Sequence, residues 1–263
     1  MSVEWIPYFE VFAFTRRMHA GNPAGVCLLE EWLPDEQLQA IATENNLAET
    51  AFVVARAEHF DLRWMTPTVE VDLCGHATLA AAHVLFHHRD YCEGMIRFQS
   101  KSGELTVARD GERLVLDFPS LPAEAVSVPD ELVEALGARP DELRQGRDYI
   151  AVFPSQAGVA AIEPDFGRVA KLRAQGVVVT APGDDCDFVS RYFAPAAGIP
   201  EDPVTGSTHC ALIPYWAQRL GRKNLFARQI SARGGELYCV DRGDRVSIGG
   251  TAVTYVEGKI FLA

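Results

Sequence analysis

Gly103-Glu104-Leu105, followed by Gly111-Glu112-Arg113-Leu114 and Leu116, returns 132 residues later as Gly235-Glu236-Leu237, followed by Gly243-Asp244-Arg245-Val246 and Ile248. That spacing is far beyond the roughly 20–50 residues of a solenoid repeat, so the repeated unit is a whole small domain. Upstream, Asp61-Leu62-Arg63-Trp64-Met65-Thr66-Pro67 leads to Cys74-Gly75-His76 and an apolar run, as Asp187 to Pro195 leads to Thr205-Gly206-Ser207 and another; Gly75 and Gly206 are 131 residues apart. Further up, Pro34-Asp35, a helix-like stretch and Thr50-Ala51-Phe52-Val53-Val54 are echoed by Pro164-Asp165, a similar stretch and Val177-Val178-Val179-Thr180. The chain reads as two copies of one fold. The expected division is an N-terminal lobe over 1–120 and a C-terminal lobe over 121–263, with the final strand free to cross back to the first lobe. The prolines between Pro119 and Pro129 mark the linker, where turn and extended backbone is expected.

In the first copy, alternating apolar positions predict strands around Tyr8–Phe14, Ala24–Leu29, Thr50–Val54, Leu62–Met65, Leu105–Arg109 and Arg113–Phe118. Pro34, Asp35 and Glu36 open a surface helix that carries Leu38, Ile41 and Ala42 on one face. The run His76–Phe86 is apolar on every side, so it predicts a helix enclosed by strands rather than laid on them; its counterpart is Ser207–Leu220. No long alternation of strand and crossover helix is present, which disfavours a doubly wound parallel sheet. The fold class expected is α+β, with two pseudo-symmetric lobes.

At 263 residues, with 48% hydrophobic and 23% charged residues, the composition is that of a globular protein and excludes disordered, collagen-like and coiled-coil classes. A net charge of −12 without a basic stripe makes nucleic acid and anionic membrane poor partners and points to a small molecule. The first residues, Met1-Ser2-Val3-Glu4-Trp5-Ile6-Pro7, carry neither a basic segment nor an apolar run, and no stretch reaches the roughly 18 apolar residues of a membrane span, so a cytoplasmic location is expected. Six cysteines without a C-x-x-C pair predict reduced thiols.

Two related lobes are expected to form a cleft, where small-molecule sites gather. Gly75 and Gly206 each precede a central helix and follow an acidic, turn-like stretch, Glu70-Val71-Asp72-Leu73 and Glu201-Asp202-Pro203-Val204. A helix start with free N–H groups and no Cβ suits a carboxylate or enolate oxygen. The alternative is that the two glycines only permit tight turns.

The runs Phe12-Ala13-Phe14-Thr15, Gly21-Asn22-Pro23-Ala24-Gly25-Val26, Ala48-Glu49-Thr50-Ala51-Phe52, Glu70-Val71-Asp72-Leu73-Cys74-Gly75-His76-Ala77-Thr78, Glu201-Asp202-Pro203-Val204-Thr205-Gly206-Ser207 and Ser231-Ala232-Arg233-Gly234-Gly235 closely resemble the PhzF phenazine-biosynthesis family, in order and over nearly the whole chain. The resemblance implies a diaminopimelate epimerase-like fold, each lobe a curled sheet around a central helix. It implies a cofactor-independent isomerase that moves a proton between carbons of a small cyclic carboxylate such as trans-2,3-dihydro-3-hydroxyanthranilate, and it is compatible with a homodimer. Glu49 takes the role of proton carrier, His76 and Asp202 are supporting catalytic groups, and Gly75, Gly206 and Ser207 bind substrate. Taken alone, Glu49 could equally be an exposed or capping carboxylate, and His76 and Asp202 could be helix caps.

Cys74 matches the first thiol of the epimerases that this fold resembles, but Thr205 stands at the second. A hydroxyl is a far weaker acid and base than a thiol, so an isomerase is favoured over a two-base racemase working through Cys74. A non-catalytic metabolite- or protein-binding member of the fold is the other alternative. A metal set from Cys74, His76, His209 and Cys210 matches no standard zinc spacing, and neither a metal nor a cofactor is expected.

Overall fold

The computed structural model describes residues 4–262. Its described residues divide into two compact units, 4–117 with 249–262, and 118–248. The stretch 249–262 therefore lies with the N-terminal unit rather than with 121–248.

The first unit contains β1 (Glu4–Ala13), β2 (Asn22–Leu29), α1 (Asp35–Asn45), β3 (Glu49–Ala55), β4 (Phe60–Met65), β5 (Glu70–Val71), α2 (Gly75–His88), β6 (Met95–Ser100), β7 (Gly103–Asp110) and β8 (Arg113–Pro119). The second contains β9 (Glu124–Val126), α3 (Asp130–Leu136), β10 (Glu142–Gln145), β11 (Tyr149–Val152), α4 (Gln156–Ala160), α5 (Phe166–Val169), β12 (Val177–Pro182), β13 (Phe188–Ala194), β14 (Ile199–Asp202), α6 (Gly206–Leu220), β15 (Asn224–Gln229), β16 (Gly235–Asp241) and β17 (Arg245–Gly250). The last strand, β18 (Ala252–Leu262), pairs antiparallel with β1 over the whole length of β1.

Strand pairing shows the duplication. In the first unit β1–β2 is antiparallel, β2–β3 parallel, β3–β4 antiparallel, β4–β6 parallel and β6–β7 antiparallel. In the second, β10–β11, β11–β12, β12–β13, β13–β15 and β15–β16 follow the same sequence of senses. Each parallel step needs a crossover, supplied by α1 and α2 in one unit and by the α4–α5 segment and α6 in the other.

Every residue of α2 from Gly75 to Phe86 is buried, and the helix packs on β1, β2, β3 and β18. A helix with no polar face has no side to give to water, so the sheet must curl around it. The opposite face of that sheet is closed by α1, whose Leu38, Ile41 and Ala42 join Ile6, Cys27, Leu29, Phe52 and Val54 in a second apolar cluster. In the other unit α6 is amphipathic rather than apolar all round. Its Trp216 stacks on Phe188 at 5.6 Å and donates from Nε1 to Thr180 Oγ1 at 3.0 Å, which pins the helix to β12 and β13.

Four stretches differ from the sequence reading. Residues 95–100, without a strand expectation, form β6 and alternate buried Ile96 and Phe98 with exposed neighbours. The acidic stretches before the two central helices hold short strands, β5 on β4 and β14 on β13, because backbone groups beside a sheet edge are satisfied most readily by pairing with it. The proline-rich linker contributes β9, paired with β10. Among the described residues no helix is long and apolar enough to cross a membrane.

The approach to α2 is fastened by Arg63 on β4. Its Nε and Nη2 donate to the two oxygens of Glu70 at 2.8 and 2.9 Å, and its Nη1 donates to Asp35 at the start of α1 at 2.8 Å. Lys101 reaches the same Glu70 carboxylate at 2.5 Å. The Arg63 hydrogen bonds hold the Glu70 carboxyl down at about 2, against burial, which pushes it up. A depressed carboxyl contributes stability that is complete above its unfolded value near 4.5 and is lost as pH falls towards 2. Glu70→Gln is expected to lower stability at pH 7 by about 1–2 kcal/mol and to flatten the acid decline between those two pH values, as read by denaturant titration. An unchanged acid limb would show that Glu70 does not link this turn to folding.

Candidate active site

The parallel pairing of Ala24 with Glu49 brings the starts of β2 and β3 side by side, and α2 packs over both strands. Gly21 sets the entry to β2. It lies at φ +67°, and a Cβ there would stand 2.2 Å from the Ala13 carbonyl oxygen, so the close approach that delivers Asn22 requires glycine. Cys74 occupies the N-cap position of α2 in extended conformation, and His76 follows in the first turn.

These elements gather four side chains. His76 Nε2 lies 3.2 Å from Glu49 Oε2, and the two side chains are only 6% and 12% exposed. Neither atom has a well-aligned hydrogen bond, so the Glu49 oxygen sits off the ring's N–H axis. On the other side of the ring, Nδ1 is 3.5 Å from Cys74 Sγ and 3.2 Å from Asn22 Nδ2. Donor atoms of Glu49, Cys74 and His76 lie within 4.8 Å of one another.

Burial by itself disfavours the imidazolium form of His76, but the adjacent Cys74 and Glu49 outweigh it and hold the ring well above its ordinary value. Burial and the Glu49 charge push the Cys74 thiol up. That thiol is therefore not the pre-formed thiolate that a Cys-based racemase needs. The Asn22 amide presents an oxygen or a nitrogen to Nδ1 after a half-turn that leaves its shape unchanged, so it can follow either state of the ring.

The corresponding positions of the second unit carry different chemistry. Thr205 is the N-cap residue of α6, as Cys74 is of α2. Its hydroxyl donates to the buried Asp202 carboxylate and accepts from Gln229 Nε2 at 3.1 Å, while its backbone N–H donates to Gln229 Oε1 at 2.9 Å. Gln229 Nε2 also donates to the Asp202 carbonyl at 2.8 Å. Ser207 Oγ accepts from Arg147 Nη2 at 2.9 Å, and Arg147 is braced by Asp148, which takes a further bond from Tyr192 at 3.1 Å. Val177 faces Phe193 across the sheet as Thr50 faces Met65, so the position that Glu49 holds before Thr50 is taken in the second unit by Gly176, which has no side chain to offer.

The structure thus brings Glu49, Gly75 and His76 together with Cys74 in one unit, and Asp202, Gly206 and Ser207 together with Thr205 in the other. The N-cap residues themselves, Cys74 on α2 and Thr205 on α6, make no side-chain cap hydrogen bond. His209 and Cys210 turn to the backbone of their own helix, at Thr205 O and Gly206 O. Asn22, Gln229 and Arg147 were not singled out from the sequence. Asn22 lies inside the quoted Gly21-Asn22-Pro23 run, which is the signal that could have found it; an isolated amide or guanidinium such as the other two gives none.

The family model of phenazine biosynthesis-like proteins matches residues 11–258. The chain belongs to the PhzF family. A Pseudomonas aeruginosa protein described as an uncharacterized isomerase is 52% identical over 97% of this chain and 98% of its own. The crystal structure of an Enterococcus faecalis PhzF-family protein superposes with a TM-score of 0.97 at 47% identity, covering 98% of this chain and all of that one. The crystal structure of an Agrobacterium radiobacter protein described as a "probable proline racemase", 12% identical with a TM-score of 0.62 over 98% of this chain and 93% of its own, shares the fold alone. This PhzF-family chain is accordingly an isomerase with two epimerase-like α+β lobes.

Gln229 carries the polar structure in front of α6. Gln229→Leu strips partners from the Thr205 N–H and the Asp202 carbonyl inside a buried region, and is expected to cost about 2–4 kcal/mol in a urea titration. A loss below about 0.5 kcal/mol, the size of an ordinary surface substitution, would contradict that role.

Proposed function

We propose that the enzyme catalyses a proton shift between two carbons of a small carboxylate-bearing metabolite, with Glu49 as the proton carrier. The contact of Glu49 with His76 carries this reading. It places a carboxylate and an imidazole, both largely shielded from water, beside the start of a helix 14 residues long. The equivalent position of the second unit holds only Gly176, and a group that breaks the symmetry of two similar lobes marks where the chemistry becomes one-sided.

Glu49 takes a proton from one carbon, leaving the electron pair delocalised into the unsaturated system and its carboxylate. It then returns the proton to a second carbon of the same system. His76, with its raised affinity for a proton, stands beside the carboxylate as a positive or donating group and stabilises the negative charge that develops. The N–H groups at the start of α2, at Gly75 and His76, are assigned to an anionic oxygen of the substrate. A cyclic, unsaturated amino acid of the dihydro-hydroxyanthranilate type satisfies all of these demands, and it is the substrate class that the family resemblance implies.

Two-base racemisation through Cys74 is less well supported. Its thiol is pushed away from ionisation, and the matching Thr205 hydroxyl is already committed to Asp202 and Gln229.

Incubation in deuterated water with a panel of small unsaturated and cyclic amino acids, read by mass and NMR, is expected to show deuterium entering carbon. Glu49→Gln keeps shape but cannot carry a proton, and should reduce that incorporation by a factor on the order of 10²–10⁴. Retention of more than about a tenth of the rate would remove Glu49 from this role.

A further inference from the structure

The Glu49, Cys74 and His76 cluster has a second chemical capacity that proton transfer does not use. Thiol, imidazole and carboxylate are the three donor types that bind borderline-soft divalent cations, and here they occur together in a buried setting. Bond lengths of about 2.3 Å to sulfur and 2.05 Å to nitrogen at a tetrahedral angle put S and N about 3.6 Å apart, and N and O about 3.3 Å apart. Cys74 Sγ and His76 Nδ1 are 3.5 Å apart, and the Asn22 amide atom that faces Nδ1 is 3.2 Å from it. Two edges of a coordination tetrahedron are therefore already set on the rigid starts of α2 and β2. The Glu49 oxygen, buried without an aligned hydrogen bond, now lies 3.2 Å from Nε2, and it must swing around the ring edge towards Nδ1 to join the other two, which the length of its side chain allows because all three ligand atoms are already within 4.8 Å of one another.

We propose that Cys74 Sγ, His76 Nδ1 and Glu49 Oε2 form a binding site for one borderline-soft divalent cation of the Zn²⁺ class, with the Asn22 amide oxygen completing it after a half-turn. Binding replaces the thiol proton: Cys74–SH and M²⁺ give Cys74–S–M⁺ and H⁺, with no change of oxidation state. The cation is an alternative occupant rather than a reagent of the isomerisation, because a Glu49 carboxylate that ligates a metal cannot carry a proton. That consequence rests on the proton-carrier reading, whereas binding itself does not.

Cobalt(II) is the probe for the site, with the full chain reduced and stripped of metal. The exposed Cys92 is replaced by serine in every sample, so that it cannot compete. One equivalent of Co²⁺ is expected to produce the strong visible bands of a tetrahedral ion and a near-ultraviolet thiolate-to-cobalt band, both displaced by Zn²⁺. Cys74→Ser should abolish the near-ultraviolet band while circular dichroism shows the fold retained. Glu49→Gln should keep the band but weaken binding by more than the roughly 10–100-fold that loss of a supporting group costs. A near-ultraviolet band that survives Cys74→Ser, or only the pale spectrum of octahedral cobalt in the unsubstituted site, would overturn the proposal. None of these readings depends on turnover, so they stand apart from the outcome of the deuterium experiment.

Discussion

A helix that is apolar on every side can exist in water only if something surrounds it, and α2 imposes that requirement on everything around it. Strands on several sides must bury it, which calls for a sheet that curls instead of lying flat. The curl brings the starts of β2 and β3 to the start of the helix. Asn22, Glu49, Cys74 and His76 meet there because each lies within two residues of an element's beginning. The site thus follows from the need to hide Leu79, Ala80, Val84 and their neighbours. The outer helix α1 has a single apolar face and makes a lighter demand, so it lies on the sheet and leaves its other side to water.

Gene duplication gives two equivalent helix starts, and the chemistry depends on their having diverged. Where one unit has Cys74, His76 and Glu49, the other has Thr205, Ser207 and Gly176. On the first side the polar groups face one another with imperfect hydrogen bonds; on the second, Thr205, Asp202 and Gln229 close into a satisfied network. Buried polar groups without ideal partners cost stability, so they persist where their reactivity is needed. The saturated network instead rigidifies its helix start.

Much of this was legible in the chain itself. The recurrence of Gly-Glu-Leu with its following glycine revealed the duplication, and the unbroken apolar character of His76–Phe86 revealed an enclosed helix. β6 is not legible although Ile96 and Phe98 alternate with exposed neighbours, because six residues give too short a period to stand out between α2 and β7. The strands β5, β9 and β14 are a few residues long and are defined by the edges they meet, which no local pattern encodes. Glu49 and His76 were legible only through resemblance, since a single carboxylate 27 residues from a single histidine has no spacing signature. Asn22 and Gln229 act through partners 54 and 24 residues away in sequence, distances that only folding closes.

The return of the last strand to β1 has a consequence for the order in which the chain matures. Residues 118–248 are continuous, so every segment of the second unit has been synthesised before β18 leaves the ribosome. The first unit, although begun earlier, has β2 beside β1 but lacks the strand on the other edge of β1 until β18 emerges. Vectorial synthesis, which usually lets the N-terminal domain fold first, is here reversed: the second unit is the first that can be finished. The unit that carries Glu49 and His76 is thus completed after the other, and a polypeptide stopped before β18 would have a finished second unit and an uncompleted first one.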